Sequence, residues 1–300
     1  MWYCTEVQDK SAPCQKNSST PVLRETVNYR LCPSCPKPPH NSKPDWKPQP
    51  PDYLYKDIIS RRRNTKILGN GSNGTVYEFG EFAFKGFSTI CISEFGSWSF
   101  SDPDVEWRMI NLAGDCAVNP VGRVFNLHEE TGEPYLVGFL TEIGTPLDFK
   151  LLSDTEKNAT KDEMIQLVTE LHQKQGLVHG SIMPKHFLRC KDSKLRLIDF
   201  ETARVIEEAP KRLVKISNRI LSPNKKRENP KLSFEELDDW YALVLVIWEM
   251  YTGKTPYEIN FENVEEEDVV KQQAVELTEI LDNELRGWMR EILTRGGAIV

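Results

Sequence analysis

Proline limits this chain most, because it fixes φ, removes a backbone donor and so closes regular helix or central strand to any segment where it clusters. Ten of the 19 prolines lie at or before Pro51, most densely through Cys32-Pro33-Ser34-Cys35-Pro36-Lys37-Pro38-Pro39 and on to Pro50-Pro51. Residues 1–57 therefore read as an extended, largely disordered lead, and residues 58–300 as the folded part. Through Pro51 the lead carries seven Lys/Arg against four Asp/Glu, while the whole chain is at −7. The remainder is thus near −10.

That acidic balance speaks against a general nucleic-acid binder, which would carry a basic excess on one face. With 39% hydrophobic and 28% charged residues in 300, the chain has enough apolar surface for a real core. Its first residues, Met1-Trp2-Tyr3-Cys4-Thr5-Glu6, lack the basic and apolar regions of a secretory signal. The longest apolar run, Tyr241 to Trp248, is far short of the roughly 20 residues a membrane span requires. Seven cysteines, odd in number and scattered, point to reduced thiols rather than a disulfide scaffold. The expectation is a cytoplasmic or nuclear protein without membrane or nucleic-acid partners. Cys32-x-x-Cys35, with His40 nearby, offers two thiolates to a tetrahedral zinc, but Cys4-x9-Cys14 does not supply a second pair of usual spacing. A solvated segment is the plainer reading.

From residue 58 the pattern changes. Gly69-Asn70-Gly71-Ser72-Asn73-Gly74 is a GxGxxG run flanked by Ile67-Leu68 and Thr75-Val76-Tyr77. A dinucleotide-binding turn would open a helix here; instead Thr75–Phe79 and Phe82–Lys85 both read as strands, with Gly80 at the turn. A glycine-rich hairpin followed by a strand bearing lysine can fold backbone amides over nucleotide phosphates, with Lys85 as the point charge on them. Such a lysine needs a counter-charge. Asp102-Pro103-Asp104 predicts a helix start, and Glu106 on that helix, 21 residues beyond Lys85, is the candidate.

With these residues the chain resembles the eukaryotic protein-kinase superfamily over about residues 62–296, and within it kinase-like proteins of filamentous fungi. Leu136–Ile143 is similar to the strand and hinge behind the adenine, with Thr141 as gatekeeper and Glu142 following it. Leu177-Val178-His179-Gly180-Ser181 stands in the place of the catalytic loop, and Asp199-Phe200-Glu201 in that of the metal-binding Asp-Phe-Gly. Thr160-x-x-Glu163 and Ser233-x-x-Glu236 read as capping boxes of two C-terminal helices. Asp238, in Asp238-Asp239-Trp240, stands for the residue that holds the catalytic-loop backbone, and Leu285–Arg290 reads as a last helix. The resemblance implies an α+β, bilobal fold: a small antiparallel-sheet lobe with one helix over about 58–141, and a mainly helical lobe over about 142–300. It implies ATP contacts at Gly69, Gly71, Gly74, Val76, Lys85, Glu106, Thr141 and Glu142, and a metal at Asp199.

The phosphoryl-transfer chemistry is altered in one loop. Where the family has His-Arg-Asp followed by lysine and asparagine, this chain has His179-Gly180-Ser181, Met183 and His186. Ser181 carries no charge and is no base near neutral pH without a base of its own; Met183 offers the transferring group nothing. His186 suits a transition metal better than hard Mg²⁺. Asp199 remains for one Mg²⁺ rather than two, Lys185 is a conceivable substitute for the lost lysine, and Glu201 is either an added metal ligand or a loop cap. His179 reads as a packed structural histidine. Lys225-Lys226-Arg227 and Glu265-Glu266-Glu267-Asp268 read as solvated charge runs.

Four functions stay open on the sequence. The first is a pseudokinase that binds ATP and docks a protein partner. The second is an active or weakly active Ser/Thr protein kinase. A small-molecule phosphotransferase of choline- or aminoglycoside-kinase type is the third, on the His-Gly loop and Ile198-Asp199-Phe200-Glu201. The fourth is a degenerate interaction module that binds no nucleotide.

Overall fold

The computed structural model describes residues 52–59, 66–71, 74–87, 103–129, 131–208, 222–224, 234–256, 275–298 and 300. The proline-rich lead with its cysteine pair, Ser72-Asn73, the Asp102 cap, the basic run at 225–227, Ser233 and the acidic run at 265–268 lie outside the described residues.

Alternating apolar residues build a six-stranded sheet from β1 (Tyr53–Leu54), β2 (Ile67–Gly71), β3 (Gly74–Phe79), β4 (Phe82–Phe87), β5 (Pro120–Leu127) and β6 (Pro134–Glu142). The order is β1-β5-β6-β4-β3-β2, and each pairing is antiparallel except β1 with β5. Gly80, at φ +61°, turns β3 into β4 as the sequence predicts. Gly74 has a steric reason: a Cβ there would stand 2.2 Å from the carbonyl oxygen of Gly86. Only glycine lets β3 lie so close to β4, the strand that carries Lys85.

The sheet recruits chain ahead of residue 58. A short helix α1 (Tyr55–Ile59) follows β1, and the Asp52 carboxylate grips Arg123 of β5 at 2.9 and 3.1 Å. Tyr53, Tyr55 and buried Ile58 pack with Phe84, Val124 and Leu140. Aromatic residues tolerate a half-buried pleated surface, so a segment that follows a proline run still joins the sheet edge.

Helix α2 (Pro103–Ala113) crosses one face of the sheet and buries Glu106, Met109, Ile110 and Ala113. Helix α3 (Asp154–Gln173) starts earlier than Thr160 predicts. Ser153 and Glu156 form the capping box, while Thr160 is buried inside the helix. The first S-x-x-E in the chain direction takes the helix start, since nothing in Lys157-Asn158-Ala159 breaks the turn that follows. Helix α4 (Glu236–Thr252) is apolar all round and correspondingly enclosed, and ends at Gly253 with φ +67°. Helix α5 (Asn283–Arg295) packs beside it, capped by Asp282. Short strands β7 (Gly144–Pro146), β8 (Leu177–Val178), β9 (Phe187–Cys190), β10 (Leu195–Leu197) and β11 (Arg204–Val205) make two small antiparallel sheets, β10-β9-β7 and β11-β8.

One continuous core joins Met109, Ile110 and Phe139 to Met164, Leu171, Leu197, Phe200 and Leu243. The architecture is mixed α and β with a predominantly antiparallel sheet, in keeping with the expected α+β class. No helix among the described residues is long and apolar enough to cross a membrane.

A chain begun at residue 58 would lose β1, most of α1 and the Asp52–Arg123 pair. Its melting temperature is expected about 5 °C or more below that of a chain begun before Asp52, a loss of about 2 kcal/mol. Differential scanning calorimetry of the two checks this.

Candidate functional site

The register of the first hairpin sets one row across the sheet: Gly69 opposite Val76, Val76 opposite Lys85, Lys85 opposite Phe139. Period-two alternation therefore fixes the side of the sheet on which Lys85 emerges. Gly71 pairs with Gly74 at the turn end of the hairpin. A Cβ on Gly69 would meet nothing within 4 Å, so packing within the described residues does not require that glycine. Thr141, on β6, is buried opposite Ala83, and its hydroxyl donates to the Glu142 carbonyl. The Glu142 side chain accepts from the Asn119 amide at 2.7 Å and lies 3.3 Å from Arg196, so it is occupied in bracing the strand end.

Lys85, Glu106 and Asp199 meet. The Lys85 ammonium donates to both Glu106 oxygens at 2.7 and 2.9 Å and to Asp199 Oδ1 at 2.7 Å. The 21-residue spacing between Lys85 and Glu106 thus spans the strand-to-helix crossing as predicted. Burial alone would pull the lysine down, but attraction to Glu106 and Asp199 outweighs it and holds the ammonium above its ordinary value. Burial pushes Glu106 up to about 7 against the pull of Lys85. Burial likewise acts upward on Asp199, yet Lys85 and His186 overcome it and keep that carboxyl well below the usual range. Asp199 itself sits in the left-handed region, φ 70° and ψ 57°, which an Asp tolerates better than most residues.

The loop that faces this triad is held by a different aspartate from the one the sequence suggests. Asp239, not Asp238, accepts the amides of His179 (2.7 Å) and Gly180 (2.8 Å), and also meets His172 Nε2 at 2.9 Å. Asp238 instead accepts the Glu235 amide and caps α4. Adjacent helix residues project about 100° apart, so only one of the pair can face the loop. Gly180 has φ +75°, and a Cβ there would lie 2.6 Å from the Phe234 ring. The arginine of the resembled family would be strained there by the backbone and would require Phe234 to shift. Nothing in the sequence except the glycine itself signals this.

His179 is fully buried and structural. Its Nε2 donates to the Ile198 carbonyl at 3.0 Å, and its Nδ1 accepts the Ser181 amide at 3.2 Å. With both nitrogens occupied, it is no base for the Ser181 hydroxyl, which has no hydrogen-bond partner among the described residues. Burial pushes the His179 imidazole down to about 4. Met183 and exposed Lys185 border a groove of about 360 Å³ against Ala242, Val246 and Glu249 of α4, with no contact between Lys185 and Asp199. His186, which the sequence marks only as a replacement, enters the centre: Nδ1 is 2.7 Å from the Ser181 carbonyl and Nε2 is 3.2 Å from Asp199 Oδ2. Carboxylate oxygens of Glu106, Asp199 and Glu201 lie within 4.8 Å of one another.

Two outcomes follow. Asp239→Asn should cost about 2–3 kcal/mol in urea unfolding, and Asp238→Asn less than about 1, because asparagine caps well but cannot replace a buried charged acceptor. Neutral His179 makes the native state bind fewer protons than the unfolded chain between the ordinary 6.5 and about 4. Stability from this residue is therefore complete above pH 6.5 and falls as the pH drops. Relative to His179→Gln, the parent should lose about 3 kcal/mol across that window; Glu106 and Asp199 titrate in both proteins and cancel in the difference.

Sequence comparisons agree with this geometry at a coarse level. The chain is 25% identical over 134 residues to serine/threonine-protein kinase AtPK1/AtPK6 of Arabidopsis thaliana, covering 44% of this chain and 28% of that protein. The figures for AtPK2/AtPK19 of the same plant are 25%, 44% and 27%. Ribosomal protein S6 kinase alpha-4 of Mus musculus is 24% identical over 153 residues, 48% of this chain and 20% of that protein. The match thus spans less than a third of each of these curated relatives. No family model matches the chain. The relationship these matches support is a protein-kinase-like one.

Proposed function

We propose that this chain is a bilobal, protein-kinase-like domain that binds ATP with one divalent cation and works by docking a protein partner, that is, a pseudokinase. One observation carries the reading. The charged triad Lys85–Glu106–Asp199 is assembled with short contacts, while the loop opposite carries Ser181, Met183 and His186 where the resembled family has aspartate, lysine and asparagine. Lys85 would balance the α- and β-phosphates under the glycine-rich hairpin, with Val76 beneath the adenine and the backbone at Thr141 and Glu142 beside it. Gly69 and Gly71, which no packing within the described residues demands, leave room for close backbone approach to phosphate.

Asp199, with Glu201 beside it, offers carboxylate oxygens suited to a hard cation such as Mg²⁺. When bound, that ion neutralises charge on the phosphate oxygens. The chain's own residues then hold and orient nucleotide without completing transfer. The Ser181 hydroxyl has no base to take its proton, His179 being spent on Ile198 and the loop backbone. Met183 and Lys185 border the groove on α4. Loss of a general base alone costs about 10²–10⁴ in rate. The names of the relatives favour the second reading, an ATP-dependent Ser/Thr protein kinase of low activity.

Labelled γ-phosphate transfer by the purified chain, to itself and to a generic protein, decides between them. No transfer above Lys85→Met and Asp199→Asn controls is expected, while ATP with a divalent cation raises the melting temperature by a few degrees. Transfer that disappears in both controls would establish the kinase instead. Absence of any ATP-dependent shift would leave an interaction module that binds no nucleotide.

A further inference from the structure

Arg196 is a buried cation in a place that packing alone does not ask for. It stands in β10 between two core leucines, Leu195 and Leu197, and is 3% exposed. Asp192, four residues earlier, takes its guanidinium in a two-pronged pair at 2.8 and 2.7 Å, which already balances the charge. Arg196 Nε is buried with no partner among the described residues, a cost that an apolar side chain would not carry. Replacing a buried ion pair with apolar residues of similar volume is often neutral or stabilising. The cation therefore needs a reason beyond stability, and a second carboxylate points to one.

That carboxylate is Glu142, at the end of β6. Its Oε1 lies 3.3 Å from Arg196 Nη1 and accepts the Asn119 amide at 2.7 Å. The Glu142 amide in turn donates to the Asn119 carbonyl at 3.0 Å, and the Val118 amide to the Leu197 carbonyl at 3.1 Å. Three segments meet here: the end of β6 beside buried Thr141, the stretch 114–119 that joins α2 to β5, and β10, which reaches Asp199 three residues after Arg196. The chain just past Glu142 rests on the same support. Gly144 pairs with Cys190 of β9, and a Cβ at 144 would stand 2.7 Å from Leu188 Cβ. Because α2 carries Glu106 and β10 leads to Asp199, the junction sets from behind the spacing of the two carboxylates that Lys85 bridges in front.

We infer that Arg196 is a positioning residue: through Glu142 and Asn119 it clamps the end of β6 to β10, so that this strand end and Asp199 hold one spacing before nucleotide arrives. The inference rests on the proposed nucleotide site and deepens it. Nucleotide then enters a pocket already set, without reshaping the strand end at Thr141 and Glu142.

The Asn119 amide is a direct probe, since its proton is bonded to the Glu142 side chain. Hydrogen exchange of single amides is followed by NMR in the full chain without nucleotide. Arg196→Met should speed exchange at Asn119 about tenfold or more, while the Val118 amide, bonded to backbone, stays within about threefold of the parent. The melting temperature should move by only a few degrees. Glu142→Ala should release Asn119 likewise, and the double variant should be no faster than either single one. Arg196→Lys, which keeps the charge, should recover most of the protection, and Asp192→Asn should leave Asn119 protected because Glu142 still faces the cation. ATP affinity by isothermal titration calorimetry should fall about tenfold in Arg196→Met and recover in Arg196→Lys.

Unchanged exchange at Asn119 in Arg196→Met, additive effects in the double variant, or acceleration spread evenly over β9, β10 and α4 would each overturn the clamp; the last would leave a structural role only. Unchanged ATP affinity in a variant whose Asn119 amide is released would overturn its bearing on nucleotide. If the parent itself binds no ATP, the proposed function fails, while the exchange measured without nucleotide still decides the clamp.

Discussion

The Asp239 carboxylate, 1% exposed, is the interaction on which the candidate site depends. It lies on the most enclosed helix among the described residues, and its two oxygens accept consecutive amides from a loop about 60 residues earlier in the chain. A buried carboxylate without donors would be costly, and so would two buried amides without an acceptor. Each group removes the other's cost, so helix α4 and the loop at 179–181 are fixed together. From that anchor the loop turns through the positive φ of Gly180. His179 then reaches Ile198, and Thr202 returns a hydrogen bond to the His179 carbonyl. Asp199, between Ile198 and the buried Phe200, is held in its left-handed conformation by this frame rather than by preference of its own.

The second constraint is electrostatic. Two carboxylates, Glu106 from the helix over the sheet and Asp199 from the core region, converge on one ammonium. Burial, reinforced by the like charge of Asp199, pushes Glu106 up to about 7, while Lys85 and His186 keep Asp199 ionised. Any cation that joins at Asp199 eases that competition and leaves Lys85 more fully to Glu106. A nucleotide's phosphates would act in the opposite sense. The triad is thus responsive to charge brought into it.

Much of this was legible in the residues, and what was not has identifiable causes. The hairpin, Gly80 and the Lys85–Glu106 pairing follow from period-two alternation, turn chemistry and one helix start, all local signals. Choosing between Asp238 and Asp239 is a matter of helix phase, and two neighbouring acids look alike until the backbone fixes which one faces inward. Ser153 and Thr160 compete as helix starts with the same S/T-x-x-E signature, and only tertiary packing puts Thr160 inside. The recruitment of Tyr53–Leu54 escapes a compositional reading because a proline run masks the aromatic residues just after it. His186 is visible as a departure from a family pattern, but its two contacts come from chain segments on either side of it.

The loop's shape and its chemistry rest on different atoms. Shape comes from backbone amides on Asp239, from the His179 ring and from the Nδ1 contact of His186 to the Ser181 carbonyl. Chemistry in a transferring loop would come from the side chains at 181 and 183, which take no part in that frame. Ser181 can therefore change character without loosening that frame, whereas Met183 packs against the core and 179, 180 and 186 hold the loop. Glycine at 180 is favoured by both its φ and Phe234, whose ring a side chain there would have to displace. Departure from the resembled pattern has two parts here: uncharged side chains at 181 and 183, and a differently packed anchor at Gly180 and His186.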